Sequence, residues 1–470
     1  MYLNLEKKDI NAYAIIDDSN QKITYGELVL EINQFKKNLN SNRNLVFILS
    51  RNSIGSLFAY LSSYENHDVS LLLNEKIGNE ILMEFIYLYS PKYIWVPSNW
   101  EFKKDFTEVY RKYDYILLDT GLESPDLNLN LSFLLPTSGS TGSPKLVRHK
   151  YGNLESNAKT VSKMFDWDDK ERSICDLPMH YTMGLNVINS TLYSGGTVLL
   201  CSRNLMDKDF WKFVKAHKAT NFTGVPYSYS ILFRLRFHEM ELPNLRTYCQ
   251  GGGKLDELTF KNLVDFTENK NLRFFATFGT TETSARLSYL RPEKAKNKIG
   301  SIGKTIPNGE MFLVDENKQI IESSSAHGEL VYKGPNVTMG YAYKKEDLSL
   351  GDTFNGVYFT GDLAFRDDEG FYFIEGRVSR FVKLFGHRVD LDECERILKK
   401  TLNIESACIG NDTVVVLFVE QEDNFNNIKK ILSNITSLPI SCFKVERIDL
   451  IPRKDNMKID YNYLQKNNIN

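Results

Sequence analysis

No apolar run in this chain approaches the roughly 20 residues a membrane-spanning helix needs, so no membrane span is expected. Neither sign of charge dominates: 58 Lys and Arg stand against 60 Asp and Glu, a formal net charge of −2. A basic surface for nucleic acid is therefore not expected. The six cysteines, Cys175, Cys201, Cys249, Cys394, Cys408 and Cys442, lie far apart, with no C-x-x-C pair and no HExxH. Zinc and redox readings have no motif behind them, and reduced, buried thiols are expected. The opening MYLNLEKKDINAYAI lacks the charged-then-apolar layout of a secretion signal, so a cytoplasmic location is expected. Internal repeats and low-complexity tracts are also missing. What is present is an ordinary globular composition, 42% hydrophobic and 25% charged, in 470 residues. That length predicts two or more domains.

Short apolar runs alternate with helical patterns through the first 300 residues. LVFILS (45–50), YIWVP (93–97), YILLD (115–119) and SFLLP (132–136) read as buried strands. Leu154, Ala158, Val161 and Phe165 recur at helical spacing behind Asn153, a predicted N-cap. DFWKFVKAHK (209–218) reads as a helix, and RFFATFGTTE (273–282) as a strand entering a polar loop. The alternation predicts α/β layers with parallel strands, whose ligands bind beyond the strands' carboxyl ends. After about residue 300 the pattern turns strand-rich (MFLVD, GELVYKG, VYFTGD, GFYFIEG). Beyond Gly376-Arg377 a separate unit is predicted, giving domains at 1–378 and 379–470.

The segment PTSGSTGSPK (136–145) follows the SFLL strand. Its small residues let backbone N–H groups crowd an anion, its hydroxyls add donors, and Lys145 adds a point charge. That suits a polyphosphate, although Ser and Gly enrichment alone also describes a flexible surface loop. The spacing is not that of a Walker P-loop, which disfavours a P-loop kinase. FGTTE (278–282) offers an aromatic face, hydroxyls and a carboxylate suited to Mg²⁺. YFTGD (358–362) ends on an acid that could accept both hydroxyls of a ribose. GRVSRFVKLFGHR (376–388) and IPRKDNMKIDY (451–461) complete the set.

In their order along the chain, TSGSTGSPK, FGTTE, TGD, GR…K..G.R…E.E and NMKID resemble the adenylate-forming (AMP-binding) superfamily. Its members include acyl- and aryl-CoA synthetases, amino-acid adenylation domains and luciferases. The resemblance runs from ITYGEL (23–28) to Lys458. It implies an α/β fold: a large N-terminal domain of layered α/β subdomains and a small, mobile C-terminal α+β domain. It also implies ATP and Mg²⁺ as cofactors. Thr137, Ser138, Gly139, Ser140, Thr141, Gly142 and Lys145 would wrap the phosphates. Gly251, Gly252 and Gly253 would line the adenine and acyl pockets, with Phe278, Gly279 and Thr280 near the nucleotide. Thr281 would contact the α-phosphate, Glu282 would hold Mg²⁺, and Asp362 and Arg377 would bind the ribose. Lys458 would be the adenylation lysine, and Ser379 the hinge, where the family usually has an acidic residue.

The implied reaction is adenylation of a small carboxylic acid, then thioester formation. His180 stands where amino-acid-activating members carry aspartate, which argues against an α-amino acid. His180, Tyr181, Met183, Asn186, Gly224 to Tyr227, Gly251 and Thr277 are the expected acid pocket. Arg286 reads first as half of a surface or core ion pair, with a polar or anionic substrate group as the alternative; Lys383 reads equally as a surface lysine and as a residue that acts only after the C-terminal domain rotates. The thiol is expected to be phosphopantetheine on an acyl carrier protein. VKLFGHRVDLDECE and NMKIDYNYL look like carrier-loading domains, and no dense basic cluster surrounds Lys383, His387 and Arg388. The chain also has no carrier domain and ends soon after Lys458. Free CoA is the alternative acceptor. Oxygen uptake would identify a luciferase-type oxygenase, and intact Lys458, Glu282 and Asp362 argue against a dead binding module.

Overall fold

A computed structural model describes every residue except 37–42, 102–105, 137–144, 379, 385–386, 412, 421–423, 437, 455–456 and 469–470. The described residues form two large sheets, one of nine strands and one of eight, with smaller sheets of four, two and three strands. In the nine-stranded sheet, Tyr13–Asp17, Thr197–Leu200, Arg172–Cys175, Asn221–Gly224, Thr247–Gln250 and Arg273–Phe278 run parallel. Ser288–Leu290 returns antiparallel beside Arg273–Phe278. The eight-stranded sheet is parallel through Leu131–Pro136, Val69–Asn74, Leu45–Ser50 and Tyr93–Pro97. All six residues of Leu45–Ser50 are buried, as a continuous apolar run in a covered parallel sheet requires.

The mixed α/β class and the large-plus-small layout are therefore as the sequence predicts. Two details differ. Tyr115–Asp119 pairs antiparallel with Tyr93–Pro97, because the chain first passes through Thr107–Lys112 at the sheet edge and returns from it in a hairpin, between that strand and Tyr93–Pro97. The helix Asn153–Met164 is preceded by Gly152 at φ +89°, so Asn153 is its first residue and not its cap. Asn153 Oδ1 instead accepts from the Lys150 N–H at 2.9 Å.

The four-stranded sheet of Glu310–Val314, Ala326–Lys333, Val357–Arg366 and Tyr372–Arg377 is antiparallel throughout. From Val382 onward the chain builds its own apolar centres. One gathers Val382, Leu398, Leu417 and Leu432; another gathers Ile409, Phe418, Ile451 and Leu464. All six cysteines are buried and free. No described helix is long and apolar enough to cross a membrane.

Candidate active site

Asp362 and Arg377 lie directly opposite each other on adjacent antiparallel strands. Arg377 Nε donates to Asp362 Oδ1 at 3.0 Å. Asp362 is 3% exposed, and its Oδ2 has no hydrogen-bond partner. Burial raises the pKa of this carboxyl, opposed by Arg377 and then Lys458. A buried acceptor without a donor costs about 1–3 kcal/mol, which a ligand hydroxyl in that position would recover.

Lys458 comes from the far end of the chain into the same field. Its ammonium pKa is lowered, first by the surrounding protein and then by Arg377, with Asp362 and Glu282 opposing. Lys458 nonetheless keeps an exposed surface, and the Arg377 side chain is 55% exposed. Both cations therefore keep contact with solvent and are not sealed in a core.

Glu282 lies on the 3-10 turn Thr281–Thr283, which directly extends strand Arg273–Phe278. The return path is tight: a Cβ on Gly279 would fall 1.3 Å from the Ala285 carbonyl oxygen, so only glycine fits. Ser284 and Ala285 both take positive φ, +53° and +107°. The turn is held from outside by Asn336 Nδ2, which donates to Thr283 O at 2.7 Å, and by Thr338 N–H, which donates to Glu282 O at 3.0 Å. Tyr341 donates its hydroxyl to Glu282 Oε1 at 2.8 Å, and Lys145 Nζ sits 3.6 Å above the Tyr341 ring. Tyr341 thus ties Lys145, the lysine of the candidate phosphate loop, to the candidate metal carboxylate. Sequence reasoning missed it, because one tyrosine in TMGYAY reads as core.

One carboxylate is the usual protein share for a Mg²⁺ held mostly by phosphate oxygens and water. Among the described residues no cluster of three or more His, Cys, Asp or Glu could hold a metal alone. Glu282 therefore fits Mg²⁺ that arrives with a polyphosphate.

The acid end is built from strand termini. Gly224 closes Asn221–Gly224, Gly251 follows Thr247–Gln250, and Thr277 lies near the end of Arg273–Phe278. Gly251 N–H donates to Gly224 O at 3.1 Å, and Thr277 Oγ1 donates to Gln250 O at 2.9 Å. A Cβ on Gly251 would meet Met183 Cε at 2.4 Å and Thr277 Oγ1 at 2.7 Å, so these groups bound one small space. Gly252 follows at φ +79°. His180 is 6% exposed, with Nδ1 3.5 Å from Ser50 Oγ at the end of a strand of the other sheet. A cleft of about 400 Å³ opens beside it, lined by Leu73, Asn74, Phe85, Pro136, His180 and Tyr181. The strand ends of the eight-stranded sheet thus reach this cleft through Asn74 and Pro136, and His180 with Tyr181 completes it.

Asn186 turns away into a buried amide chain. Its Nδ2 donates to Asn157 Oδ1 at 2.7 Å, and Asn157 Nδ2 donates to Arg286 O at 2.8 Å. Arg286, expected first as half of an ion pair, is 0% exposed and has no carboxylate partner among the described residues. That expectation is corrected: the hairpin after Glu282 turns the guanidinium inward, among sulfur atoms and an aromatic ring. Residues 137–142 and Ser379 lie outside the described residues, as do the side chains of Lys383, His387 and Arg388.

The profile of the AMP-binding enzyme family matches residues 4–342. A 2-succinylbenzoate–CoA ligase of Listeria monocytogenes is 26% identical over 355 residues, 73% of this chain and 72% of that protein. The o-succinylbenzoate CoA synthetase of Bacillus subtilis, solved with the acyl-adenylate intermediate OSB-AMP, shares the fold. Its TM-score is 0.79 at 23% identity, covering 96% of this chain and 95% of that one. The same enzyme in complex with ATP and a magnesium ion gives 0.72 at 21% identity, with 95% of each chain covered. With 339 of its 470 residues inside the family profile, the chain belongs to the AMP-binding enzyme family.

Proposed function

We propose that the protein is an AMP-forming acid–thiol ligase. It activates a carboxylic acid with ATP, releases pyrophosphate, and passes the acyl group to the thiol of free CoA. The observation that carries this is the meeting of Lys458, Asp362, Arg377 and Glu282 in one field of charge. Four residues from four separate motifs converge there, as adenylation requires. The relatives are named CoA ligases, which moves the acceptor from the carrier protein expected from sequence to CoA. A division of labour at residues 378/379 belongs to the same proposal.

A carboxylic acid with pKa near 4 is already ionised at neutral pH, so its attack needs no general base. The obstacle is repulsion between two anions. In this reading Lys458 would face both the acid and the α-phosphate, and Thr281 and the turn after Phe278 would add polar groups there. Mg²⁺, held by Glu282, would neutralise phosphate charge. Asp362, fixed on one oxygen by Arg377, offers its other oxygen to the ribose. The thiol sulfur then attacks the carbonyl of the mixed anhydride; a C–S bond forms, the C–O bond breaks, AMP leaves, and the S–H proton is released to solvent.

ATP–pyrophosphate exchange across a panel of acids tests the first step, with 2-succinylbenzoate tried first. Formation of ADP and phosphate without pyrophosphate sinks the reading. Offering CoA and holo-carrier proteins separately then decides the acceptor.

A further inference from the structure

Arg286 is a fully buried cation near the candidate acid pocket, and among the described residues it has no counter-charge. Its Nε and Nη1 have no hydrogen-bond partner. Its Nη2 reaches two sulfur atoms, Cys249 Sγ at 3.5 Å and Met183 Sδ at 3.8 Å, and both are weak acceptors. The guanidinium carbon stands 4.9 Å over the Phe165 ring. Burial holds the Cys249 thiol above its ordinary range, so no thiolate supplies the missing negative charge. An arginine is charged at any working pH, and a buried charge without a partner is strongly destabilising.

The surroundings spend further interactions on holding it in place. Its carbonyl accepts from Asn157 Nδ2 at 2.8 Å and from Asn336 Nδ2 at 3.1 Å, and the turn into it is forced through Ala285 at φ +107°. Strain and buried charge at one position, both opposed to stability, are what a ligand site retains. Met183 bridges the guanidinium and the pocket floor: its Sδ faces Arg286, and its Cε lies against Gly251. A methionine is unbranched and can swing aside.

We propose that Arg286 is a specificity residue that receives a second anionic group, a carboxylate distant from the one activated. The substrates are then acids with two negative charges. Met183 covers the guanidinium until such a substrate displaces it. The proposal rests on the ligase reading above and names the substrate class for that same site.

The test compares matched acids in pyrophosphate exchange. Each pair is a diacid and its monoacid counterpart, such as 2-succinylbenzoate against 4-oxo-4-phenylbutanoate, and phthalate against benzoate. For the best pair, the wild-type kcat/KM should favour the diacid by on the order of 10²- to 10³-fold. In Arg286→Met that ratio should collapse by about 10²-fold, and Arg286→Lys should restore part of it. The melting temperature of Arg286→Met without ligand should hold or rise, because an unpaired charge has been removed; an arginine serving only structure would give a fall. If Arg286→Met does not fold, the wild-type pairs still decide. Exchange fastest with monoacids, or a ratio unmoved by the substitution, overturns the proposal and leaves the ligase reading standing. Exchange with no acid at all overturns the ligase reading, and this proposal with it.

Discussion

At the residue scale, the two ends of the candidate site divide the chemistry and can be separated by substitution. Lys458 feels both Asp362 and Glu282, so Lys458→Ala should slow adenylation by on the order of 10²–10³, the usual cost of one preorganised transition-state contact. Thioester formation from supplied acyl-adenylate should be largely spared, and equal loss in both half-reactions would remove the assignment. Asp362→Asn makes a different claim. The lone Oδ2 and the Arg377 bond on Oδ1 mark a ground-state acceptor for hydroxyls. Losing its charge weakens bonds worth about 1.5–3 kcal/mol. ATP affinity, read by calorimetry, should fall roughly 10- to 100-fold, with acid KM little moved. A change confined to kcat would contradict the ribose role.

At the element scale, most of what positions the site could be read in the sequence. Apolar runs such as LVFILS and RFFATF mark the buried strands, and the Gly- and Thr-rich segments behind them mark the strand ends. Pairing direction was not legible, because antiparallel Tyr115–Asp119 is as apolar as its parallel neighbours. Nor were Tyr341 and the unpaired state of Arg286, which depend on what faces each side chain across long sequence distances. His149 is another such case, a histidine fully buried in strand Leu146–Lys150, 5.7 Å from the Phe133 ring. Burial lowers its pKa from 6.5 to about 4, with backbone contacts opposing. The unfolded chain takes up this proton from pH 6.5 downward, while the folded chain waits until about 4. Stability is therefore fully present above pH 6.5 and lost between 6.5 and 4. The loss is about 3 kcal/mol at 1.36 kcal/mol per unit. Urea unfolding at pH 7.5 and pH 5 should show this slope in wild type, and His149→Gln should flatten it. An unchanged slope in the variant would place the acid sensitivity elsewhere.

At the scale of the whole molecule, the chain beyond Val382 has its own apolar centres, and charged and polar groups are among those that join it to the rest. The Arg453 guanidinium lies 4.8 Å over the Tyr227 ring. Lys254, beside the Gly251-Gly252-Gly253 loop, lies in the field of Glu393 and Arg396 on helix Leu391–Leu402. Lys458 reaches Asp362 and Glu282 only when these groups meet. An interface of this polar kind is one that can open, as the resemblance to adenylate-forming enzymes implies between half-reactions. In the proposed function, the arrangement described here, with Lys458 close to Asp362 and Glu282, would be the one that serves adenylation. Weakening it at a distance from the reacting atoms should therefore slow only the first half-reaction. A cation–π contact is worth about 0.5–1 kcal/mol at an exposed site, so Tyr227→Ala should lower the adenylation rate roughly 2- to 5-fold. Thioester formation from supplied acyl-adenylate should be unchanged or slightly faster, because the docked state competes with it less well. Acid KM separates this from a pocket defect: docking alone leaves KM in place, whereas a Tyr227 that touches the acid raises it. A rise in KM, or equal slowing of both half-reactions, would assign Tyr227 to the pocket and leave the docking role to other contacts.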